Sequence, residues 1–278
     1  MNSSDLYADP RNLSVDPMLG QNALLQYQAM RNLPPIRLPE RPGDAALLEA
    51  CRAFRCGQNA GIAGWEIGFG PTIGLVHGWG GQGIQFVKLA HLLAENGFRA
   101  IIIDARNHGA SEPARLGFDR FMTDIAELQE YLGEPPLGWV GHSAGALALM
   151  SGRRTHGIRA SAVVCLAAPF FPYVPLNRMR AAGVAEGVID HIKHLIAVEF
   201  STDWASLETG AAWQGDPDLR LMAIYDRADQ MIDAMDAQRL LRVRPDAQIE
   251  MTSDLGHNRI ISSPASADHI VRFLNACR

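Results

Sequence analysis

Residues 137–150 read "LGWVGHSAGALALM", an apolar run that breaks at Gly-His-Ser-Ala-Gly and continues in small residues. This change of pattern indicates a buried strand that turns directly into a helix. Gly141 and Gly145 permit a sharp turn and a close approach of the helix to the sheet, so the Ser143 hydroxyl is lifted clear of the backbone at the helix N-terminus. The stretch therefore predicts a serine presented at the carboxyl end of a strand.

A serine in this setting is a poor nucleophile until a base removes its proton. The base is expected on a loop after the last strand of the sheet. His257, in "SDLGHNRII", follows the last predicted strand on such a loop. The other histidines after Ser143 lie at the end of the next helix, in a helical insertion or in the C-terminal helix: His156, His191, His194 and His269. His257 is therefore the predicted base.

An acid should follow the preceding strand, where the chain reads "AIYDRADQMID". Asp226 ends that strand and would point along it or cap the turn. Asp229 lies three residues further along, on the loop, where its carboxylate can reach the histidine Nδ1–H. We favour Asp229 and keep Asp226 as the alternative.

A developing oxyanion needs two N–H donors, one from the residue after the nucleophile and one from the loop after the first central strand. The first donor is Ala144. The loop reads "LVHGWGGQG", and its glycines let the backbone approach a substrate, which makes the Trp79 N–H the second predicted donor.

From residue 72 onward, short apolar runs alternate with amphipathic segments. Strands that are apolar on both faces and separated by helices indicate a mostly parallel sheet with helices on both faces. Residues from about 170 to 215 interrupt the alternation with helical patterns only, and an insertion there would lie over the ligand crevice. The six runs are "TIGLV" (72–76), "RAIIID" (99–104), "LGWVG" (137–141), "ASAVVCLA" (160–167), "LRLMAIY" (219–225) and "AQIEMT" (247–252).

The first 60 residues form a separate region of uncertain placement. They begin with a proline-rich stretch of little periodicity, which we interpret as an arm on the surface. "DAALLEACRAF", residues 44–54, predicts a helix with Asp44 as its cap. Residues 61–278 are assigned to one domain that contains the insertion.

Composition excludes several classes of protein. A formal net charge of −5 argues against nucleic acid as a partner. No stretch approaches the roughly 18 apolar residues of a membrane span. The first ten residues lack the basic and apolar regions of a secretory signal, so a cytoplasmic location is expected. The four cysteines match neither a disulfide framework nor a metal site, which predicts free thiols.

Five segments, in this order, resemble the α/β-hydrolase family of serine hydrolases: "HGWGGQGIQF", "IIIDARNHGASE", "GHSAGA", "DRAD" and "GHNRII". The resemblance covers roughly residues 65–278 and implies an α/β-hydrolase fold with a short helical lid over about 170–215. It also implies that Asp229 is the acid. Ser111, in the turn Asp104-x-x-x-His108-Gly-x-Ser111, is by the same resemblance a structural turn residue and not a nucleophile.

Aromatic residues near the predicted oxyanion loop and in the insertion are candidates for a substrate pocket. Trp79, Phe170, Phe171 and Trp204 can line such a pocket, although each can equally pack the insertion against the core. His142, next to the serine, completes the predicted set of substrate-contacting residues.

Together these residues predict a serine hydrolase that cleaves a carboxylic ester or related acyl compound through an acyl-enzyme. The expected partner is a small acyl substrate, with no metal or organic cofactor and no nucleic acid or membrane. The same three residues also suit acyl transfer or C–C bond hydrolase and lyase chemistry. A receptor that binds ligands on the same fold is the alternative from another class.

Overall fold

The computed structural model describes residues 17–32 and 41–278. Most prolines of the predicted N-terminal arm fall at 1–16 and 33–40, so that part of the prediction lies outside the described residues.

Eight strands form one sheet with the order β1-β2-β4-β3-β5-β6-β7-β8. Strands β3 to β8 run parallel, whereas β2 runs antiparallel to its neighbours β1 and β4. The predicted mostly parallel sheet is confirmed, and its parallel part consists of the six apolar runs. The strands are β1 (Arg52–Cys56), β2 (Ile62–Ile67), β3 (Thr72–Val76), β4 (Arg99–Asp104), β5 (Gly138–His142), β6 (Ala162–Leu166), β7 (Arg220–Asp226) and β8 (Gln248–Thr252).

The middle of the sheet is buried on both faces. Every residue of β5 and β6 is buried, and Ile101, Ile102 and Ile103 in β4 are inaccessible to solvent. Because successive side chains of a strand point to opposite faces, this burial requires helices on both faces. The parallel register places Val76 beside both Ile103 and Gly141, so the carboxyl ends of the central strands meet at one edge.

The helices pack in groups on this sheet, α3 with α11 and α4 with α5. Helix α4 buries Phe121, Ile125 and Leu128 and is followed by Gly133, whose φ of 79° lies in the left-handed region that commonly ends helices. The helices are α1 (Pro17–Asn32), α2 (Asp44–Glu49), α3 (Val87–Glu95), α4 (Phe118–Leu132), α5 (Ala144–Thr155), α6 (Val174–Ala181), α7 (Glu186–Glu199), α8 (Trp204–Glu208), α9 (Asp236–Val243), α10 (Gly256–Arg259) and α11 (Pro264–Asn275).

The segment between β6 and β7 consists of helices α6, α7 and α8 with a short 3-10 turn, and it contains no strand. Helix α7 buries Ile189, Ile192 and Ile196. Helix α1 packs along α7, with Ala23 and Tyr27 buried. A lid function for this segment stays a prediction.

The helix predicted over 44–54 is wrong in its second half, because α2 ends at Glu49 and Phe54 lies in β1 opposite Gly64. The Phe54 ring fills the space above Gly64, where a Cβ would lie 2.3 Å from it. Strands β1 and β2 are each only partly buried, so their sequences do not need the continuous apolar run of a central strand. Their sequence pattern therefore does not reveal them.

Asp44 does not cap α2 either. Gly43 occupies the cap position without a side-chain hydrogen bond, and the Asp44 carboxylate pairs with Lys88 at 3.2 Å. The carboxylate thus joins α2 to α3.

Candidate active site

Ser143 occupies a strained turn at the carboxyl end of β5. Its φ of 51° and ψ of −120° belong to a region that residues other than glycine rarely adopt. In this turn α5 lies very close to the end of β3. A Cβ added at Gly145 would lie 2.3 Å from the His77 carbonyl oxygen, so the position has room only for glycine. The backbone therefore holds the Ser143 side chain at the N-terminus of α5.

The structure brings three sequence-predicted residues into one chain of contacts. The His257 Nε2 lies 3.1 Å from Ser143 Oγ, and the His257 Nδ1 lies 2.8 Å from an Asp229 carboxylate oxygen. Because a carboxylate only accepts, Nδ1 donates to Asp229, which leaves the Nε2 lone pair for the serine proton. The Asp229 side chain is 2 % exposed and that of His257 is 9 % exposed, so water has little access to the inner contact.

The carboxylate of Asp226, the alternative acid, is occupied by hydrogen bonds from other residues. Its carboxylate accepts hydrogen bonds from the Thr252 hydroxyl at 2.7 Å and from the N–H groups of Ala228, Leu255 and Gly256 at 2.9–3.1 Å. Although burial opposes ionisation, these donors lower the pKa of Asp226 below its ordinary value. Asp226 thus shapes the loop that carries His257, and Asp229 is the carboxylate that touches the imidazole.

The two predicted oxyanion donors flank the serine. Ala144 is the first residue of α5, where an N–H has no acceptor within the helix. Trp79 follows Gly78 in the loop after β3. A Cβ added at Gly78 would lie only 2.9 Å from the Ser143 Cβ. The loop after β3 therefore runs directly against the turn that holds the serine.

Two neutral histidines anchor this loop, a role that the sequence analysis did not assign to them. The His77 Nε2 accepts the Ala105 N–H at 2.9 Å, and its Nδ1 donates to the Gly78 carbonyl at 2.7 Å. The His108 Nε2 accepts the Gly80 N–H at 3.2 Å. Burial lowers the pKa of His77 to about 4, and burial together with His77 lowers the pKa of His108 to about 3. The signal was present in the sequence, because each histidine follows a strand within a glycine-containing turn.

The turn after β4 has the structural form that the resemblance implies. The Ser111 hydroxyl donates to the Asp104 carbonyl at 2.6 Å and accepts the Ala63 N–H at 2.7 Å. The Asp104 carboxylate accepts the N–H groups of Gly83 and Ala110 at 2.6 and 2.7 Å. Ser111 therefore ties β2 to β4.

His142 precedes Ser143 in the chain and contacts His257, the predicted base. Its Nε2–H donates to the His257 carbonyl at 2.9 Å, and the two rings lie 4.7 Å apart. Burial, followed by the proximity of His257, pushes the pKa of His142 well below its ordinary value, so the ring is neutral. A neutral ring in this place orients the main chain of His257, while substrate contact by His142 stays a prediction.

The four predicted aromatic pocket residues differ in exposure. Phe170 is buried and stacks on Trp213, whose Nε1–H donates to the Phe170 carbonyl at 2.7 Å. Phe171 is partly exposed and meets Trp204 edge-on at 5.7 Å. Trp79 is also partly exposed. The contact between Phe170 and Trp213 thus joins the two ends of the insertion, and substrate contact stays a prediction for all four aromatic residues.

Two further features concern residues 17–32 and 41–278. In that part of the chain, no three His, Cys, Asp or Glu side chains come together in a way that could hold a metal ion. None of the helices there has the length and apolar character to cross a bilayer. All four cysteines are free thiols, as the sequence predicts.

A model of the alpha/beta hydrolase family matches residues 75–267, more than half of the chain. The chain belongs to this family. The resemblance seen in the five sequence segments is thereby confirmed, and the protein is an enzyme of the hydrolase type.

Proteins with similar sequences include two enzymes. A pimeloyl-[acyl-carrier protein] methyl ester esterase of Aeromonas salmonicida is 26% identical over 248 residues, which cover 75% of this chain and 96% of that protein. The non-heme chloroperoxidase CPO-A1 of Kitasatospora aureofaciens is 31% identical over 147 residues. That match covers 51% of this chain and spans about half, 53%, of the chloroperoxidase.

Among solved structures, a thermophilic esterase from Thermogutta terrifontis superposes with a TM-score of 0.59 at 18% sequence identity. The superposition covers 82% of this chain and 98% of the esterase. At this identity the likeness concerns the fold, and it shows that this chain has residues beyond those of the shared fold.

Proposed function

We propose that this hydrolase cleaves a carboxylic ester or related acyl compound, with Ser143 as the nucleophile. The observation that carries the proposal is the unbroken path from Asp229 through His257 to Ser143, with contacts of 2.8 and 3.1 Å. Both contacts are short enough for a base to take the serine proton without a rearrangement of the site.

In the first half of the reaction, Ser143 Oγ attacks the acyl carbon while its proton passes to His257 Nε2. The tetrahedral intermediate then collapses, the bond to the leaving alcohol breaks, and protonated His257 donates its proton to the alcohol oxygen. An acyl-enzyme on Ser143 remains.

In the second half, a water molecule attacks the acyl carbon and gives its proton to His257. Collapse of the second tetrahedral intermediate releases the carboxylic acid and returns the proton to Ser143 Oγ. Asp229 stays ionised throughout, because its roles are to hold the imidazole in the required tautomer and to stabilise the imidazolium.

The oxyanion of both intermediates accepts hydrogen bonds from the Trp79 and Ala144 N–H groups in this proposal. Each such donor contributes about 3 kcal/mol to the stability of a transition state when it is fixed in place beforehand. The His77 and His108 contacts supply that fixation for the loop of Trp79.

The Aeromonas salmonicida relative supports ester cleavage, since it is named as a methyl ester esterase and the match covers nearly all of its length. The match to the chloroperoxidase spans only about half of that protein and carries less weight. A small acyl substrate and a cytoplasmic location belong to the same proposal.

The proposal predicts that the protein hydrolyses p-nitrophenyl esters in a panel of increasing acyl length. Ser143→Ala should lower kcat by about 10⁴-fold or more, because the nucleophile is lost. A fluorophosphonate probe should label the wild type but not Ser143→Ala.

Ser111→Ala is the matched control, since Ser111 is also a serine in a glycine-containing turn but its hydroxyl bonds to the backbone. Folded Ser111→Ala should still be labelled. Labelling that persists in Ser143→Ala would place the nucleophile elsewhere and overturn the proposal.

A further inference from the structure

N-terminal residues that precede the family match contact two different sides of the candidate site. The match begins at residue 75, whereas α1 ends at Asn32 and the next described residue is Arg41. Both α1 and Arg41 make side-chain contacts with segments more than 80 residues away in sequence.

The first contact joins α1 to α7 and to the start of α4. The Tyr27 hydroxyl bonds to the Glu199 carboxylate, and Arg31 donates to the Leu116 carbonyl at 2.5 Å and to both Asp119 oxygens at 2.8 Å. The Leu116 N–H in turn donates to the Arg31 carbonyl at 2.8 Å. Arg31 and Glu199 are both buried, and removing one partner from such a cluster leaves a buried polar group unpaired.

Glu199 links α1 to the loop of Trp79. Its carboxylate accepts the N–H of Phe118 at 2.5 Å and that of Asp119 at 3.3 Å, and so it caps α4 from outside the helix. The Phe118 ring packs against the Trp79 ring at 6.1 Å and against Phe200 at 4.8 Å. The position of α1 is therefore linked to Trp79 through Glu199 and Phe118.

The second contact reaches the helix that carries the base. Arg41 donates to the Asn258 carbonyl at 3.2 Å and also to the Ser262 hydroxyl. Asn258 follows His257 directly in the four-residue helix α10. A helix of one turn has little stability of its own, so its position depends on contacts of this kind.

We propose that α1 and Arg41 form a built-in support for catalysis, in which α1 positions the Trp79 loop and Arg41 positions His257. This inference rests on the proposed function, because it assigns Trp79 and His257 their catalytic roles. Tyr27, Arg31 and Arg41 are positioning residues, and the support lies outside the part of the chain that the family model matches.

The experiment compares four variants of the full chain: Arg41→Met, Arg41→Lys, Tyr27→Phe and Arg278→Met. Arg278 is the matched control, since it is an arginine that also donates to two carbonyl oxygens, those of Asn96 and Gly97, at 2.6 and 2.9 Å. Those carbonyls precede β4 and lie at the other end of the strand from the site. We would measure kcat and KM with p-nitrophenyl acetate, the rate of fluorophosphonate labelling, and Tm.

Arg41→Met and Tyr27→Phe should each lower kcat about threefold to tenfold with KM changed by less than about twofold, because small misplacements of catalytic groups act on the transition state. The labelling rate should fall in parallel, while Tm drops by only about 2–4 °C. Arg41→Lys should keep at least about half of the wild-type kcat, because an ammonium group can replace one of the donors. Arg278→Met should behave as the wild type.

The outcomes separate this inference from the proposed function. Wild-type kcat in Arg41→Met and Tyr27→Phe, with Ser143 still labelled, would overturn the inference and leave the proposed function standing. An equal loss of kcat in Arg278→Met would also overturn it, since the effect would then be general. A wild type that neither reacts with the probe nor cleaves esters would overturn both.

Discussion

Asp226 and Asp229 carry the same carboxylate three residues apart, yet their surroundings give them different roles. Four donors surround Asp226, whereas Asp229 accepts the Met231 and Ile232 N–H groups through one oxygen and contacts His257 through the other. Asp229 therefore contacts the imidazole because its second carboxylate oxygen accepts no N–H group from the backbone of the described residues.

Asp229→Asn should lower kcat for p-nitrophenyl acetate by about 10³-fold or more, because the amide favours the wrong imidazole tautomer. The fold should be retained. Asp226→Asn should instead lower the free energy of unfolding by about 1–3 kcal/mol, since an amide nitrogen would face donors that need an acceptor. The measurements are steady-state kinetics and thermal unfolding of both variants, and a larger loss of kcat in folded Asp226→Asn would reverse the assignment.

At the scale of elements, the contact of α5 with the end of β3 builds the candidate site. Gly145 allows this contact, because its missing side chain leaves room for the His77 carbonyl. The same contact brings Ser143 and the loop of Trp79 together. Packing of a helix on a strand therefore sets the distance between Ser143, the proposed nucleophile, and Trp79, a proposed oxyanion donor.

Gly145→Ala should separate these two elements. A Cβ 2.3 Å from the His77 oxygen meets backbone, which cannot move aside cheaply. We expect a loss of about 1–3 kcal/mol in the free energy of unfolding. We also expect a fall in kcat, measured by thermal unfolding and ester hydrolysis.

Gly187→Ala in α7 is the control for this prediction, because its Cβ would meet nothing closer than the Leu19 side chain at 3.4 Å. It should keep full activity and gain up to about 1 kcal/mol from helix propensity. A Gly145→Ala variant with wild-type Tm and kcat would show that the close approach is not required.

At the scale of the whole molecule, buried neutral histidines make folding sensitive to acid. The pKa values of His77 and His108 in the folded protein, about 4 and about 3, lie below the ordinary value of 6.5. Below pH 6.5 the unfolded chain therefore binds more protons than the folded protein at these two sites. Their contribution to stability is complete above pH 6.5 and is lost as the pH falls towards 4 and then 3.

His108→Gln should remove part of this dependence, because an amide oxygen can accept the Gly80 N–H without titrating. Relative to the wild type, the variant should gain stability on the order of 1 kcal/mol for each pH unit below 6.5. Urea unfolding between pH 7.5 and pH 4.5 measures the difference. His194→Gln makes the same exchange at an exposed position of α7 and is the matched control. Parallel pH curves for wild type and His108→Gln would contradict the assignment of a neutral His108.

The order of motifs along the chain by itself determined the parallel sheet, the turn at Ser143 and the position of His257 after the last strand, because each depends on local periodicity or on glycine in a tight turn. The loop predicted for His257 is instead the short helix α10. Only the tertiary structure revealed the antiparallel strands β1 and β2, since half-buried strands lack a continuous apolar run. It also decided which carboxylate meets His257, because three of the four donors to Asp226 come from residues 252–256, which are remote in sequence.

The roles of Tyr27, Arg41 and Glu199 likewise come from tertiary structure alone. A glutamate at the end of a helix is ordinarily a solvated group, and Glu199 is buried only because α1 and α4 meet over it. Contacts between residues 27 and 199, or 41 and 258, leave no periodic trace in the sequence, because they arise when distant segments fold against each other. Local chemistry determined the elements of this hydrolase, and packing between remote elements determined how they are held around Ser143.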